Sequence, residues 1–183
     1  MVLKKIHSGF KKYNKITFFL ILLLLLVFIF LYFNVFLFTL ITFLSGLIQY
    51  YTMKFKIKYH IGHVLFLSIM ITREIGVVAA IIFLLLSDIV PRIIISDLGF
   101  RIIILSLIKF LMILIFGYIK IDLLLVGFVF AFIYYLSAYL ISKYMGETLP
   151  EIIMEIGLPF FMNIVYFTSL TNLVIKLLGY VVF

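Results

Sequence analysis

The 183-residue chain has no cysteine, few acidic residues and little charge of either sign. Without cysteine it can form no disulfide, no thiol nucleophile and no thiolate-bound metal. Charged residues make up 12% of the chain, about half their share in a soluble domain. Because there are only seven acids, a two-metal phosphoryl-transfer site would need nearly all of them at one surface. These absences argue against a soluble domain and against several enzyme classes.

Enzyme signatures are also missing from the sequence. There is no zinc-protease H-E-x-x-H, no G-x-S-x-G nucleophile motif, no P-loop and none of the aspartate-rich repeats of CDP-alcohol phosphotransferases or aromatic prenyltransferases. The letters HIGH at residues 60–63 match a nucleotide-binding signature of some aminoacyl-tRNA synthetases, but that motif needs an α/β sheet for which this chain has no room. His60 and His63 would share a helix face as interfacial histidines or as a metal pair, and no carboxylate is near in sequence. We therefore expect no metal and no cofactor, and an enzyme is not indicated.

Long apolar runs dominate what is present: 67% of residues are hydrophobic and the mean hydropathy is +1.40. Several uncharged runs reach or approach the ~20 residues that a helix needs to cross ~30 Å of hydrocarbon. A membrane β-barrel would alternate polar and apolar residues, whereas runs such as FFLILLLLLVFIFLYF are apolar throughout. The sequence thus predicts an all-α, polytopic transmembrane helical bundle.

Residues 16–53 carry no charge, which is nearly twice the length of one span, so we expect two spans with a turn near Asn34. Thr148 and Glu151 have the spacing of a capping box at the start of the last span. Seven spans result, and a six-span version would cross the first uncharged stretch once. The seven predicted spans cover residues 16–33, 35–51, 57–72, 75–95, 102–119, 122–142 and 149–173.

Charge distribution favours seven spans with the N-terminus inside. Eleven Lys and Arg residues then lie on the inner side and three on the outer side, as the positive-inside rule requires. The first apolar run is too long for a cleaved signal peptide, so residues 1–15 are predicted to be a basic cytoplasmic tail and residues 16–183 one integral membrane domain. The basic residues form no continuous face, so we expect a multi-pass protein of the cell membrane whose partner is the lipid bilayer, not a nucleic acid.

Lys109 is the most informative single residue, because it lies near the middle of the fifth span, where a charge costs roughly 2.5–3.5 kcal/mol. It either faces the bundle interior and pairs there, or extends its long stem toward the inner surface. Candidate polar neighbours are Asp88, Glu155 and Asn163. Glu155 and Asn163 flank a predicted kink at Gly157 and Pro159, and transporters often build midplane sites from kinked helices carrying polar groups. These four residues, Asp88, Lys109, Glu155 and Asn163, are the candidate substrate-binding set.

The stretch SDIVPRIIISDLGFR, residues 87–101, places four charges between two apolar runs. Asp88 must be paired or protonated, with Arg92 one turn on as the structural partner and Lys109 as the functional one. Pro91 should bend or end the fourth span. Either Ser96 or Asp97 would serve as N-cap of the fifth span. Apart from Asp88, the charges of this stretch, including Arg101, are interpreted as connector residues at the inner interface.

The segments REIGVVAAIIFLLLSDIVPR and LGFRIIILSLIKFLMILI, within residues 73–116, resemble a pattern in the substrate-capture (S) components of energy-coupling-factor vitamin transporters. In those proteins a span with glycine and small residues leads to an Asp-containing loop, and the next span follows promptly. The same stretch is similar to the cell-shape membrane protein MreD. Ala79-Ala80 stands where a second glycine is expected, and the first helix lacks the Ala-x-x-x-Ala face through which S components contact their coupling partner. The resemblance implies a small membrane-embedded solute binder and transfers no site residues.

Three functional classes follow from these patterns. A small-solute transporter, or its substrate-binding subunit, fits the size, the number of spans and the embedded Lys109. A non-catalytic scaffold with membrane protein partners fits the short loops, and a lipid-modifying enzyme would gather His60, His63 and Asp97 at one headgroup-level surface. A transporter requires the embedded polar groups to face one cavity, whereas a scaffold can leave them at scattered interfaces.

Overall fold

The computed structural model describes residues 17–25, 32–55, 57, 62–119 and 122–179, and all regular structure in these ranges is helical. The predicted basic tail, residues 1–15, lies outside the described residues, as does His60. The all-α prediction is confirmed for the described ranges. Their helices are α1 (residues 17–25), α2 (Phe33–Lys54), α3 (His63–Glu74), α4 (Val77–Ile95), α5 (Phe100–Tyr118), α6 (Leu123–Tyr144) and α7 (Leu149–Gly179).

Five of these helices, α2 and α4 to α7, are long and apolar enough to cross a membrane. Their length and composition make them candidate membrane-spanning helices. Helix α2 begins at Phe33 after a non-helical Tyr32, close to the predicted turn at Asn34. Helix α3 has 12 residues and rises about 18 Å, which is less than the hydrocarbon thickness. The total of seven spans and their orientation stay predictions.

Helix α3 is the centre of the bundle and packs against α4, α5, α6 and α7. Eight of its 12 residues are buried, including Met70 and Ile71, which have no exposed surface. Because neighbouring helices cover it, α3 has no need to match the thickness of the lipid. An apolar sequence does not distinguish a helix surrounded by protein from one surrounded by lipid, so its length was overestimated from the sequence.

Helices α4 and α7 each widen into a π-helical turn just before a proline. The turns cover Leu85–Ile89 and Ile153–Gly157, and Pro91 and Pro159 follow two residues after them. Proline has no N–H and its ring crowds the preceding turn, and a wider turn accommodates both effects. Helix α4 therefore continues through Pro91 to Ile95, where the fourth span was predicted to end, so Pro91 does not end the helix. In α7 the predicted irregularity at Gly157 and Pro159 is confirmed.

Helix α2 packs on α4 through a buried polar face. Gly46 allows this close approach, because a Cβ there would lie 3.3 Å from the carbonyl oxygen of Leu86. One face of α2 is thereby held against the π-helical turn of α4. The buried polar residues of this face are Thr42, Ser45, Gln49 and Thr52.

The connector between α4 and α5 differs from its prediction. Ser96 ends α4 in the left-handed conformation, with φ of 60°, and Gly99 occupies the N-cap position of α5 without a side-chain cap. The prediction that Ser96 or Asp97 caps α5 is therefore wrong, because the chain stays extended for longer before the helix begins. At the start of α7 the predicted capping box is confirmed, since the backbone N–H of Thr148 donates to the Glu151 carboxylate.

Candidate functional site

A buried charge network joins three helices around Asp88, which has no exposed surface. Lys109 Nζ donates to Asp88 Oδ2 at 2.5 Å, and Arg92 Nε donates to Oδ1 at 2.9 Å. Gln49 Nε2, on α2, lies 3.3 Å from the same Oδ1. The π-helical turn of α4 carries Asp88, so the wider turn sets the direction of the carboxylate. The two cations offset the cost of burying this charge.

Lys109 faces the interior of the bundle and is 7% exposed. It is the tenth of 19 residues in α5, and its Nζ lies 5.3 Å from the centre of the Tyr134 ring, a cation–π distance. The snorkelling alternative is therefore wrong. Arg92 and Lys109, the two partners considered for Asp88, both contact it in the same structure. The structural and functional alternatives therefore describe one network.

A second ion-pair cluster, at the start of α5, was not found from the sequence. Arg101 Nη1 donates to Glu147 Oε1 at 2.5 Å and to Glu155 Oε2 at 3.1 Å. These carboxylates follow Arg101 by 46 and 54 residues, too far apart for a local pattern to indicate the contact. Arg101 is thus more than the interfacial connector residue that the sequence predicted.

Asn163 has no exposed surface and ties α7 to the start of α3. Its Nδ2, which has two N–H donors, lies within hydrogen-bond distance of the Gly62 carbonyl oxygen at 3.0 Å, the Tyr135 hydroxyl at 2.8 Å and the Pro159 carbonyl oxygen at 2.9 Å. Gly62 has φ of 68°, and a Cβ there would lie 2.5 Å from Asn163 Nδ2. Only glycine fits this position without displacing Asn163.

A cavity of about 350 Å³ lies between these groups. Gly62, Gly99, Phe100 and Met145 line it, and because all four lie at helix ends, its mouth is at one end of the bundle. Lys109, also in its lining, is nine residues into α5, which places it about 13 Å from that end. The remaining wall carries charge of both signs together with Tyr134, Tyr135 and apolar side chains. Its charged lining residues are Arg92, Asp97, Arg101, Lys109 and Glu155.

The structure brings the four predicted site residues to this cavity in two layers. Lys109 and Glu155 are part of its lining. Asp88 and Asn163 lie one hydrogen bond behind, where Asp88 holds Lys109 and Asn163 holds Tyr135. Sequence reasoning missed the contribution of Arg92, Asp97 and Arg101 to the lining, because short charged connectors usually face water.

Among the described residues, no three His, Cys, Asp or Glu side chains form a group that could hold a metal ion. His63 lines the cavity, and its Nε2 lies 3.4 Å from the carbonyl oxygen of Ser45. Asp97 lines the same cavity, so two of the three residues named for the enzyme alternative are present there.

No protein-family model, curated protein or solved structure matches the chain. The resemblance of residues 73–116 to transporter S components and to MreD therefore stays a prediction.

Proposed function

We propose that the protein binds a small polar solute in this cavity, as a multi-pass transporter of the cell membrane or as the substrate-binding subunit of one. The observation that carries the proposal is that Lys109 and Glu155, from different helices, line one cavity. A volume of about 350 Å³ is within the range of small-molecule sites. Buried charge in a membrane protein is costly and usually marks a pathway or a binding site.

Convergence of the polar groups favours solute binding over a purely structural role. Arg92, Arg101 and Lys109 all line one cavity, and a scaffold does not require this arrangement. Asp88 and Asn163 act behind the lining and fix the side chains that a solute would contact. Preorganised polar groups of this kind orient a ligand within an otherwise apolar bundle.

An enzyme that modifies a lipid is the second candidate. It is favoured by one observation, that His63 and Asp97 both line the cavity close to its mouth. These side chains could take part in proton transfer at headgroup level. Conversion of the bound molecule by the purified protein would favour this candidate, whereas unchanged release would favour transport.

The test is native mass spectrometry of the protein extracted gently from its own membranes. We expect a retained small molecule in the wild type and its loss in Ala138→Phe, because Ala138 is 3% exposed and lines the cavity. Leu140→Phe is the matched control on the same helix, since Leu140 is 57% exposed and faces outward. Uptake of the identified molecule by proteoliposomes then separates a complete transporter from a binding subunit.

The proposal fails if wild type and Ala138→Phe retain the same molecules to the same extent. Stable protein partners without any small molecule would instead show a scaffold. Equal loss in Ala138→Phe and Leu140→Phe would also contradict the proposal, because it would assign the loss to α6 in general.

A further inference from the structure

We infer that the solute of this cavity is a zwitterion, with an oxyanion, such as phosphate, and an amine a few atoms apart. The inference rests on the proposed function and adds the chemical class of the ligand. It follows from how the two signs of charge are placed in the cavity wall.

The cationic side chains are the less exposed charged part of the wall. Lys109, Arg92 and Arg101 have side-chain exposures of 8%, 14% and 19%. Arg92 makes one hydrogen bond, through Nε, and Arg101 makes its two through Nη1, so each guanidinium keeps N–H donors for a ligand. Guanidinium groups suit the geometry of phosphate and carboxylate, and Arg92 and Arg101 therefore fit an oxyanion.

Two helix starts add to this preference for an anion. Helix α3 begins after Gly62 and α5 after Gly99, both glycines line the cavity, and neither helix has a side-chain cap. Their first N–H groups carry the positive end of the helix dipole. Membrane transporters use helix starts in the same manner toward anionic substrate groups.

The acidic side chains of the lining are more exposed. Asp97 and Glu155 have side-chain exposures of 53% and 37%. The closest cation to Asp97 in the described residues is Arg92, whose Nη1 is 3.7 Å from Asp97 Oδ2, beyond hydrogen-bond distance. The Asp97 carboxylate is thus able to accept a hydrogen bond from an ammonium group of a ligand.

The lining carries charge of both signs, and this favours a ligand that carries both. Its three cations are Arg92, Arg101 and Lys109 and its two acids are Asp97 and Glu155, so a ligand with charge of one sign only would meet like charges as well as opposite ones. A ligand with both charges separated along its length can place each beside side chains of the opposite sign.

The experiment measures binding by calorimetry to the full-length protein in nanodiscs made only of phosphatidylglycerol. The probes are phosphoethanolamine, which carries charges of both signs, and two counterparts with charge of one sign only, glycerol phosphate and ethanolamine. We expect phosphoethanolamine to bind at least about tenfold more tightly than either counterpart, because each charged hydrogen bond contributes on the order of a factor of ten.

Substitutions assign the two halves of the ligand. Asp97→Asn should weaken phosphoethanolamine about tenfold and leave glycerol phosphate unchanged, whereas Arg101→Gln should weaken both. Matched controls are Asp122→Asn and Arg73→Gln, whose residues are exposed and lie at the opposite end of the bundle. Asp97 is exposed and its contact with Arg92, at 3.7 Å, is longer than a hydrogen bond, so Asp97→Asn should fold normally even if Arg101→Gln does not.

A second arm repeats the titration in nanodiscs containing phosphatidylethanolamine. Competition by this lipid would identify a lipid headgroup as the source of the zwitterion, and undiminished binding would identify a free solute. The inference would be overturned if glycerol phosphate bound as tightly as phosphoethanolamine. It would also be overturned if phosphoethanolamine did not bind in the first arm and the lipid had no effect on the stability of the protein in the second. If Ala138→Phe nevertheless abolishes retention of some other molecule, the proposed function stands and only the zwitterion is wrong.

Discussion

At the scale of single residues, Lys109 and Asp88 form an ion pair whose members are nearly or completely withdrawn from solvent. Removing one member of a buried ion pair leaves the other charge without its compensation. If Lys109 is replaced, Arg92 remains bound to Asp88, so the buried Asp88 charge would still be compensated in part. The pair therefore stabilises the contact between α4 and α5 only as long as both members are present.

We expect Lys109→Leu to lower the free energy of unfolding by about 3 kcal/mol, because Asp88 stays buried with one cation fewer. Adding Asp88→Leu should restore part of the loss, since no uncompensated carboxylate then remains. Reversible unfolding in detergent micelles measures both values. Lys176→Leu, at an exposed position of α7, is the control, and a loss no larger than that of the control would contradict the expectation.

Burial of Lys109 could be predicted from sequence because an ammonium group within an apolar run must find compensation. Its partner Asp88 could be proposed for the same reason. The cluster around Arg101 could not, because a residue at the interface satisfies the charge rule whether or not it has a partner. Its contacts depend on where the end of α6 and the start of α7 lie relative to the start of α5, and local sequence patterns do not specify these positions.

At the scale of helices, the start of α3 is held by contacts with α6 and α7. Gly62 adopts φ of 68°, and a Cβ there would approach Asn163 Nδ2 to 2.5 Å and the Tyr135 hydroxyl to 2.8 Å. Gly146 has a similar φ of 80°, but a Cβ there has nothing within 4 Å. Both glycines have a left-handed backbone conformation that would strain any other residue, but they differ in the space around them.

Gly62→Ala should therefore destabilise the protein more than Gly146→Ala does. Both variants carry the cost of a left-handed residue, about 1 kcal/mol, and Gly62→Ala adds about 1–3 kcal/mol for overpacking against Asn163. The comparison of their unfolding midpoints in one detergent isolates the packing contribution. Equal midpoints would mean that Asn163 moves aside without cost.

The helices themselves were largely predictable, because uncharged runs of span length have few alternatives in lipid. The length of α3 was overestimated from the sequence, because the same apolar residues are found in helices buried by protein and in helices surrounded by lipid. The fourth span was predicted to reach residue 95, where α4 does end, but the π-helical turn at Leu85–Ile89 was not predicted. The contact of Gln49 with Asp88 in this turn joins residues that are 39 apart in the sequence, so no local pattern indicates it.

For the whole molecule, the charge distribution predicts which way the cavity opens. Lys54, Arg92, Arg101 and Lys143 lie at or near the helix ends on the side of the cavity mouth, and Arg73 and Lys176 lie toward the opposite end. From the positive-inside rule we therefore expect the mouth to face the cytoplasm. A solute or lipid headgroup would enter the described cavity from that side.

Single cysteines test this orientation, because the chain has none of its own. Tyr118 and Tyr144 form a matched pair: each is the last residue of its helix, and they are 87% and 92% exposed. We expect an impermeant maleimide added to intact cells to label Tyr118→Cys and not Tyr144→Cys, while permeabilised cells label both. Lys56→Cys should behave as Tyr144→Cys does if seven spans are correct. Labelling of Tyr144→Cys alone would place the mouth outside, and the same cavity would then receive its solute from the cell exterior.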